Sequence, residues 1–141
     1  MTNSKISVTV LAKNAERTIK KTLESLISFD EVLVFDTGST DNTLAICKEF
    51  SWVKVICIPF EGFGKTHNKA SKLASHPWIL SVDSDEILSR ELCEEIRHLN
   101  LKTNTIYKIR RTNYFNEKQI TTCAGWNPDW VARLYHKETT K

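Results

Sequence analysis

Three carboxylates stand within four residues in Asp83-Ser84-Asp85-Glu86, directly after the apolar run Trp78 to Val82. In an extended chain, residues two apart point to the same side. Asp83 and Asp85 are therefore expected to present their carboxylates to one spot. Two unpaired carboxylates that close repel each other, and one tends to keep its proton. A hard divalent cation removes the conflict. Mg²⁺ typically takes one or two carboxylates and fills its shell with water and phosphate oxygens. The competing reading is an acidic turn whose charge favours the N-terminus of the next helix.

A second cluster is Asp36-Thr37-Gly38-Ser39-Thr40-Asp41. Asp36 is placed to hydrogen-bond a base or a ribose, and Gly38 permits a sharp turn or the close approach of a ligand. Ser39 or Asp41 is expected to cap the helix that follows. Two further polar groups follow apolar runs in the same way: Asn14 with Glu16, and Gly62 with Gly64 and Lys65.

The elements that must position these groups are read from a change of period along the chain. Ile6 to Leu11 is a β-branched strand. Ile19, Leu23, Leu26 and Ile27 then share one helical face, and Asn14 is a candidate N-cap for that helix. Val32 to Phe35 is apolar throughout, as in a strand covered on both faces. A helix over Leu44 to Phe50 follows. Val53 to Ile58 is a third strand, ended by Pro59. Gly62 and Gly64 form a loop before a helix from Thr66 to Ser75. Trp78 to Val82 is a fourth strand, and Ser89 caps a helix running to Leu99. Four successive strand–helix units predict an α/β fold with right-handed crossovers, a mostly parallel sheet and helices on both faces. Past Asn100 the rhythm breaks. Thr105 to Arg110 reads as a strand, Asn113 to Gln119 as a turn and Trp130 to Tyr135 as a strand, which predicts mixed strands at that end. In open parallel sheets ligands bind beyond the carboxyl ends of the strands, and all four polar clusters lie at such ends.

The chain of 141 residues is long enough for one domain with its own core. Hydrophobic residues at 40% and charged residues at 26% make an ordinary globular balance, which argues against disorder. A net charge of +3 is too small for a nucleic-acid binder and suits a protein with phosphorylated ligands. Cys47, Cys57, Cys93 and Cys123 form no C-x-x-C pair, so they read as buried reduced thiols rather than a zinc site. No signal peptide is visible, and no run approaches the roughly 20 apolar residues of a membrane span. A cytoplasmic protein is expected, with peripheral contact at the inner face of a bacterial inner membrane left open.

The order and spacing of these residues resemble the family 2 glycosyltransferases with the GT-A fold. The resemblance rests on Ala12-Lys13-Asn14-Ala15-Glu16, on Val34 to Asp41 and on Asp83-Ser84-Asp85-Glu86. Within that family the chain looks most like the bacterial lipopolysaccharide-core β-1,4-glucosyltransferase group. Gly62-Phe63-Gly64 with Asn68 and Ala70 matches that group's glycine-aromatic-glycine loop. Gly125-Trp126-Asn127-Pro128-Asp129-Trp130, with Arg133-Leu134, matches its later motif. The resemblance implies a UDP-sugar donor, a divalent cation (Mg²⁺ or Mn²⁺), and a glycan or lipid-linked glycan acceptor such as the lipopolysaccharide inner core. It implies inversion by direct displacement. Asp36 and Asp83 would contact the uridine part. Asn14 and Glu16 would lie beside the nucleotide, with Gly38, Ser39, Lys65 and Asn68. Asp85 would hold the metal against the diphosphate, and Asp129 would deprotonate the acceptor hydroxyl. His67 stands where the group usually carries lysine.

One domain over residues 1–141 is expected. Residues 1–100 would bind the nucleotide-sugar, and 101–141 would begin an incomplete acceptor-side part. Three rivals are weighed against this reading. A nucleotide-sugar-binding remnant would bind UDP without transferring sugar. A nucleotidyltransferase would need a glycine- and arginine-rich loop after the first strand, where Ala12 to Arg17 offers Arg17 and no glycine. A phosphate-loop NTPase would need a glycine five residues before Gly64, and Pro59 stands there instead, with no N–H to donate. Trp126 and Trp130 read as core residues beside a strand, or as a stacking platform for a sugar if exposed.

Overall fold

A computed structural model describes residues 4–111, 114–115, 118–119 and 129–139, with the side chains of 114, 115, 118, 119 and 129 excluded. The elements are β1 (Ile6–Ala12), α1 (Ile19–Glu24), β2 (Glu31–Asp36), α2 (Thr43–Lys48), β3 (Val53–Cys57) and α3 (Phe63–Leu73). They continue with β4 (Trp78–Asp83), α4 (Arg90–His98), β5 (Tyr107–Arg111), β6 (Tyr114–Phe115), β7 (Lys118–Gln119) and β8 (Asp129–His136).

Six strands form one sheet in the order β3-β2-β1-β4-β8-β5. The first four are parallel, as their apolar runs and intervening helices require. β8 inserts antiparallel between β4 and β5, so the sheet becomes mixed at the C-terminal end. β6 and β7 pair as a small antiparallel hairpin inside the segment expected to be a turn.

The alternation of each strand feeds two cores. Val8, Val10, Val34, Leu80 and Leu134 pack with Ile19 and Leu23 of α1 and Cys47 of α2, while Ile96 of α4 joins the same cluster. Leu33, Phe35 and Ile79 pack on the other face with Ala70 of α3. Full burial of a Leu, Ile or Phe side chain contributes roughly 1.5–3 kcal/mol, so the central strands anchor the rim loops. Among the described residues, no helix is long and apolar enough to cross a membrane.

Several local expectations are corrected. Asn14 does not cap α1; the cap position is Thr18, which makes no side-chain capping bond. The formal cap of α2 is Asn42 rather than Ser39 or Asp41, although the Asp41 carboxylate accepts the Thr43 N–H at 2.9 Å. Gly64 lies inside α3, which begins three residues earlier than expected after Gly62 turns the chain at φ +94°. Cys47 and Cys93 are buried, but Cys57 is exposed as the last residue of β3, the edge strand of the sheet. Cys123 lies outside the described residues. Ser89 caps α4 as expected, its hydroxyl accepting the Leu92 N–H at 3.1 Å.

Candidate functional site

Strand register sets the frame of the site. Ala12 pairs with Asp36, and Leu11 pairs with Asp83. Asp36 and Asp83 thus end, at nearly one level, the two strands that flank β1. The loops after β1, β2 and β4 leave this same rim.

The β1 and β2 loops are fastened to each other. Asn14 adopts a left-handed φ of +52°, which asparagine tolerates better than most residues. Its Oδ1 accepts the N–H groups of Thr40 at 2.7 Å and Asp41 at 3.3 Å. Its own N–H donates to the Ser39 hydroxyl at 2.9 Å. The Glu16 carboxylate accepts the Asn42 N–H at 3.1 Å, while the Glu16 N–H reaches Asp41 at 3.3 Å. Bonds from the Thr43 hydroxyl and N–H hold the Asp41 carboxyl below its usual pKa range, against the opposing effect of burial.

Asp36 is buried, and its carboxylate shapes its own turn. It accepts the N–H of Gly38 at 3.1 Å and of Ser39 at 3.0 Å, together with the Ser39 hydroxyl. Gly38 carries φ +121°, a backbone that a side chain would strain. Three of about four acceptor positions on this carboxylate are therefore filled from within the loop.

The acidic run after β4 departs from the expected arrangement. The strand ends at Asp83, and Ser84 and Asp85 form a turn closed by the Glu86 N–H on the Asp83 carbonyl at 3.0 Å. The two-residue alternation of an extended chain stops there. Asp83 and Asp85 accordingly have different surroundings. Arg133 of β8 grips both oxygens of Asp83, through Nη1 at 3.2 Å and Nη2 at 3.0 Å. Nη2 also meets Glu86 at 3.0 Å. Glu86 accepts the Asp83 N–H at 2.8 Å and pairs with Arg111 at 3.5 Å. The Ser84 carbonyl is held by the hydroxyls of Thr18 at 2.9 Å and Thr22 at 3.0 Å. Asp85 is exposed and has no hydrogen-bond or ion-pair partner among the described residues.

Lys65 and Asn68 lie exposed on α3, which follows the third rim loop. His67, on the same helix, is half-buried. Burial lowers its pKa from the usual value; Asp83 opposes this and Arg133 adds to it, which puts the ring within electrostatic reach of both. Asp129 opens β8 in register with Arg111, and its side chain lies outside the described residues. Trp126 lies outside them too. Trp130, paired with Arg110 near the start of β8, is 57% exposed rather than core. A cavity of about 550 Å³ opens beside Asp85 and Glu86, walled by Leu88, Leu92, Ile109 and Val131.

Arg111, Arg133 and Glu86 carry no role in the sequence reading. Three carboxylates in four residues signal a need for nearby cations, and that signal is present in the sequence. Which arginines answer it depends on the placement of β8.

Among the described residues no three His, Cys, Asp or Glu side chains gather to hold a metal ion. Asp85 is still a fitting donor. An uncommitted hard carboxylate at a strand tip suits Mg²⁺ or Mn²⁺ arriving with substrate phosphates, a mode that needs only one or two protein carboxylates.

The Glycosyl transferase family 2 model matches residues 7–140, so the chain belongs to this family. It is 38% identical over 140 residues to an uncharacterised glycosyltransferase of Rickettsia felis, covering 95% of this chain and 48% of that one. It is 28% identical over 115 residues to the lipopolysaccharide core biosynthesis glycosyltransferase LpsC of Rhizobium meliloti, covering 77% and 43%. Among solved structures it resembles S. aureus TarS (residues 1–349) with a TM-score of 0.58 and 35% identity, over 65% of this chain and 31% of that one. It also resembles glucosyl-3-phosphoglycerate synthase of Mycobacterium tuberculosis in complex with Mn²⁺, UDP and glucosyl-3-phosphoglycerate, with a TM-score of 0.52 and 27% identity over 58% and 34%. The same enzyme has been solved with Mg²⁺ and UDP. The fold is therefore GT-A, parallel through β4 and mixed beyond it. The chain spans about half the length of the curated relatives it matches.

Proposed function

We propose that this chain forms the donor-binding half of an inverting glycosyltransferase. The enzyme moves a hexose from a UDP-sugar to a glycan or lipid-linked glycan. Glucose and a lipopolysaccharide inner-core acceptor are the assignments that the sequence resemblance and the likeness to LpsC favour. Residues 1–100 hold the donor and residues 101–141 begin the acceptor side.

The observation that carries this reading is Asp85, an uncommitted carboxylate just past the β4 tip, in a rim where the other carboxylates of the loops after β1, β2 and β4 are already engaged. Asp85 would hold a Mg²⁺ or Mn²⁺ ion against the diphosphate, and such an ion neutralises charge on a departing phosphate. Asp83 retains acceptor capacity for the uridine part. Asn14, Glu16, Asp36, Gly38 and Ser39 shape the wall beside the nucleotide, and Lys65 and Asn68 face it from α3. In the transfer, an acceptor oxygen forms a bond to the anomeric carbon from the face opposite the diphosphate. The bond from that carbon to the diphosphate oxygen breaks, and UDP leaves. The hydroxyl proton passes to a carboxylate, for which Asp129 is the candidate general base.

A thermal-shift panel tests the donor site. UDP, GDP and ADP are each added with Mg²⁺, Mn²⁺ or a chelator. Ligand at about 100 times its Kd adds roughly 2.7 kcal/mol, which raises Tm by several degrees for a domain of this size. The expected result is a shift with UDP and metal that Asp85→Ala abolishes. An equal response to all three nucleotides, or none, overturns the assignment. Release of UDP from UDP-glucose, with and without glycan acceptor, then tests turnover.

A further inference from the structure

We infer that Arg133 is a positioning residue for the donor site, fixing Asp83 in the orientation from which it meets the nucleotide. The inference rests on the donor reading above and adds a residue outside that reading's site.

Three observations carry it. The first is geometric. Arg133 takes Asp83 in a two-point grip, at 3.2 Å and 3.0 Å, and reaches Glu86 at 3.0 Å from the same nitrogen. A guanidinium fork matched to a carboxylate fixes direction as well as distance. The second is the unequal exposure of the pair. The Arg133 side chain is 13% exposed and the Asp83 side chain 47%. An ionised carboxylate has about four acceptor positions. Arg133 fills two and leaves the outward half of Asp83 to a ligand. The grip therefore orients the acid without closing it off.

The third concerns stability. A largely buried guanidinium is an expensive way to hold a sheet together, because desolvation offsets much of the attraction and an apolar side chain of similar size often does as well. Here the cost is not fully recovered: Nε is buried with no partner among the described residues. The cation is better explained by what it does to Asp83 than by what it adds to the fold. It also links the two parts of the chain, since it projects from β8, a strand of the acceptor-side part, onto the tip of a donor-side strand.

The test is a double-mutant cycle on the 141-residue chain, read by calorimetric titration of UDP with Mn²⁺. Arg133→Met and Asp83→Asn are each expected to weaken UDP by roughly ten-fold, one factor of ten in Kd being about 1.4 kcal/mol. The double variant is expected to bind no more weakly than Asp83→Asn alone, because Arg133 acts through Asp83. Arg133→Lys, which keeps the charge and loses the fork, falls between wild type and Arg133→Met, and serves as the cycle partner should Arg133→Met fail to fold. Additive losses show that Arg133 touches the nucleotide itself and overturn the inference. Unchanged binding by Arg133→Met overturns it, as does tighter binding, which is the mark of a competing latch. Failure of the unaltered chain to bind UDP overturns the donor reading and this inference together.

Discussion

Replacing Glu31 by glutamine probes the opposite end of the sheet from the candidate site. Glu31 begins β2 and is buried, with its carboxylate held by the Ser7 hydroxyl at 2.7 Å, the Ser75 N–H at 2.9 Å and the Ser75 hydroxyl at 2.7 Å. Lys54 adds an ion pair at 3.2 Å. Burial alone pushes the acid up, but these bonds outweigh it and bring the pKa from the usual 4.5 down to about 2. At roughly 1.4 kcal/mol per pH unit, the difference is worth about 3 kcal/mol of stability. Because the folded pKa is the lower one, that stability is fully present above about pH 4.5 and fades as pH falls towards 2. Glu31→Gln should thus lose about 3 kcal/mol at pH 7, which lowers Tm by about 10 °C. The gap should narrow steadily below pH 5. Urea unfolding of both proteins at pH 7, 5, 4 and 3 measures it. A gap that stays constant across that range refutes the reasoning, because the loss would then come from packing and not from the charged form. UDP binding is expected to survive, since Glu31 and Asp36 stand at opposite ends of a strand about 17 Å long.

Two other predictions concern the rim and the thiols. Asn14→Ala loses two bonds accepted from backbone N–H groups and a longer one from the Thr40 hydroxyl, and keeps a left-handed backbone that alanine resists, so it should cost about 2 kcal/mol in urea unfolding. Asn14→Gly should cost less, because glycine removes the backbone strain; equal costs would show that the strain is negligible. Burial and the charge of Asp36 push the Cys47 thiol up to about 11, whereas Cys57 is exposed. Alkylation of the native protein at pH 8, mapped by mass spectrometry, should mark Cys57 well before Cys47.

The parts of this molecule that sequence makes legible are those fixed by local period. The period predicts β1 over Ile6 to Leu11, and the strand runs one residue further, because a run rich in β-branched residues has few other ways to bury both faces. The strand-end positions of Asp36 and Asp83 followed directly. What each acid bonds to did not. Arg133 is fifty residues from Asp83, and the two meet only because β8 enters the sheet between β4 and β5. The role of Glu31 is hidden in the sequence for a similar reason. An acid ahead of an apolar run reads as loop, and its burial depends on Ser75, forty-four residues away. The pairing of Asp83 with Asp85 failed locally, where a turn replaced the last extended residues.

These contacts divide the rim into two kinds of group. Asn14, Glu16, Asp36, Ser39 and Asp41 bond one another or their own backbone, and so build a frame. Asp85, Lys65 and Asn68 are exposed and stand outside that frame. On the proposed donor reading, a preorganised frame carrying a few uncommitted groups suits the stabilisation of charge on a leaving diphosphate, because the fixed groups need not rearrange as the charge grows. The residues that make the family motif recognisable are therefore mostly structural. Substitutions in the frame should disturb folding and ligand binding together. Substitution of Asp85, which the fold does not use, should separate the two.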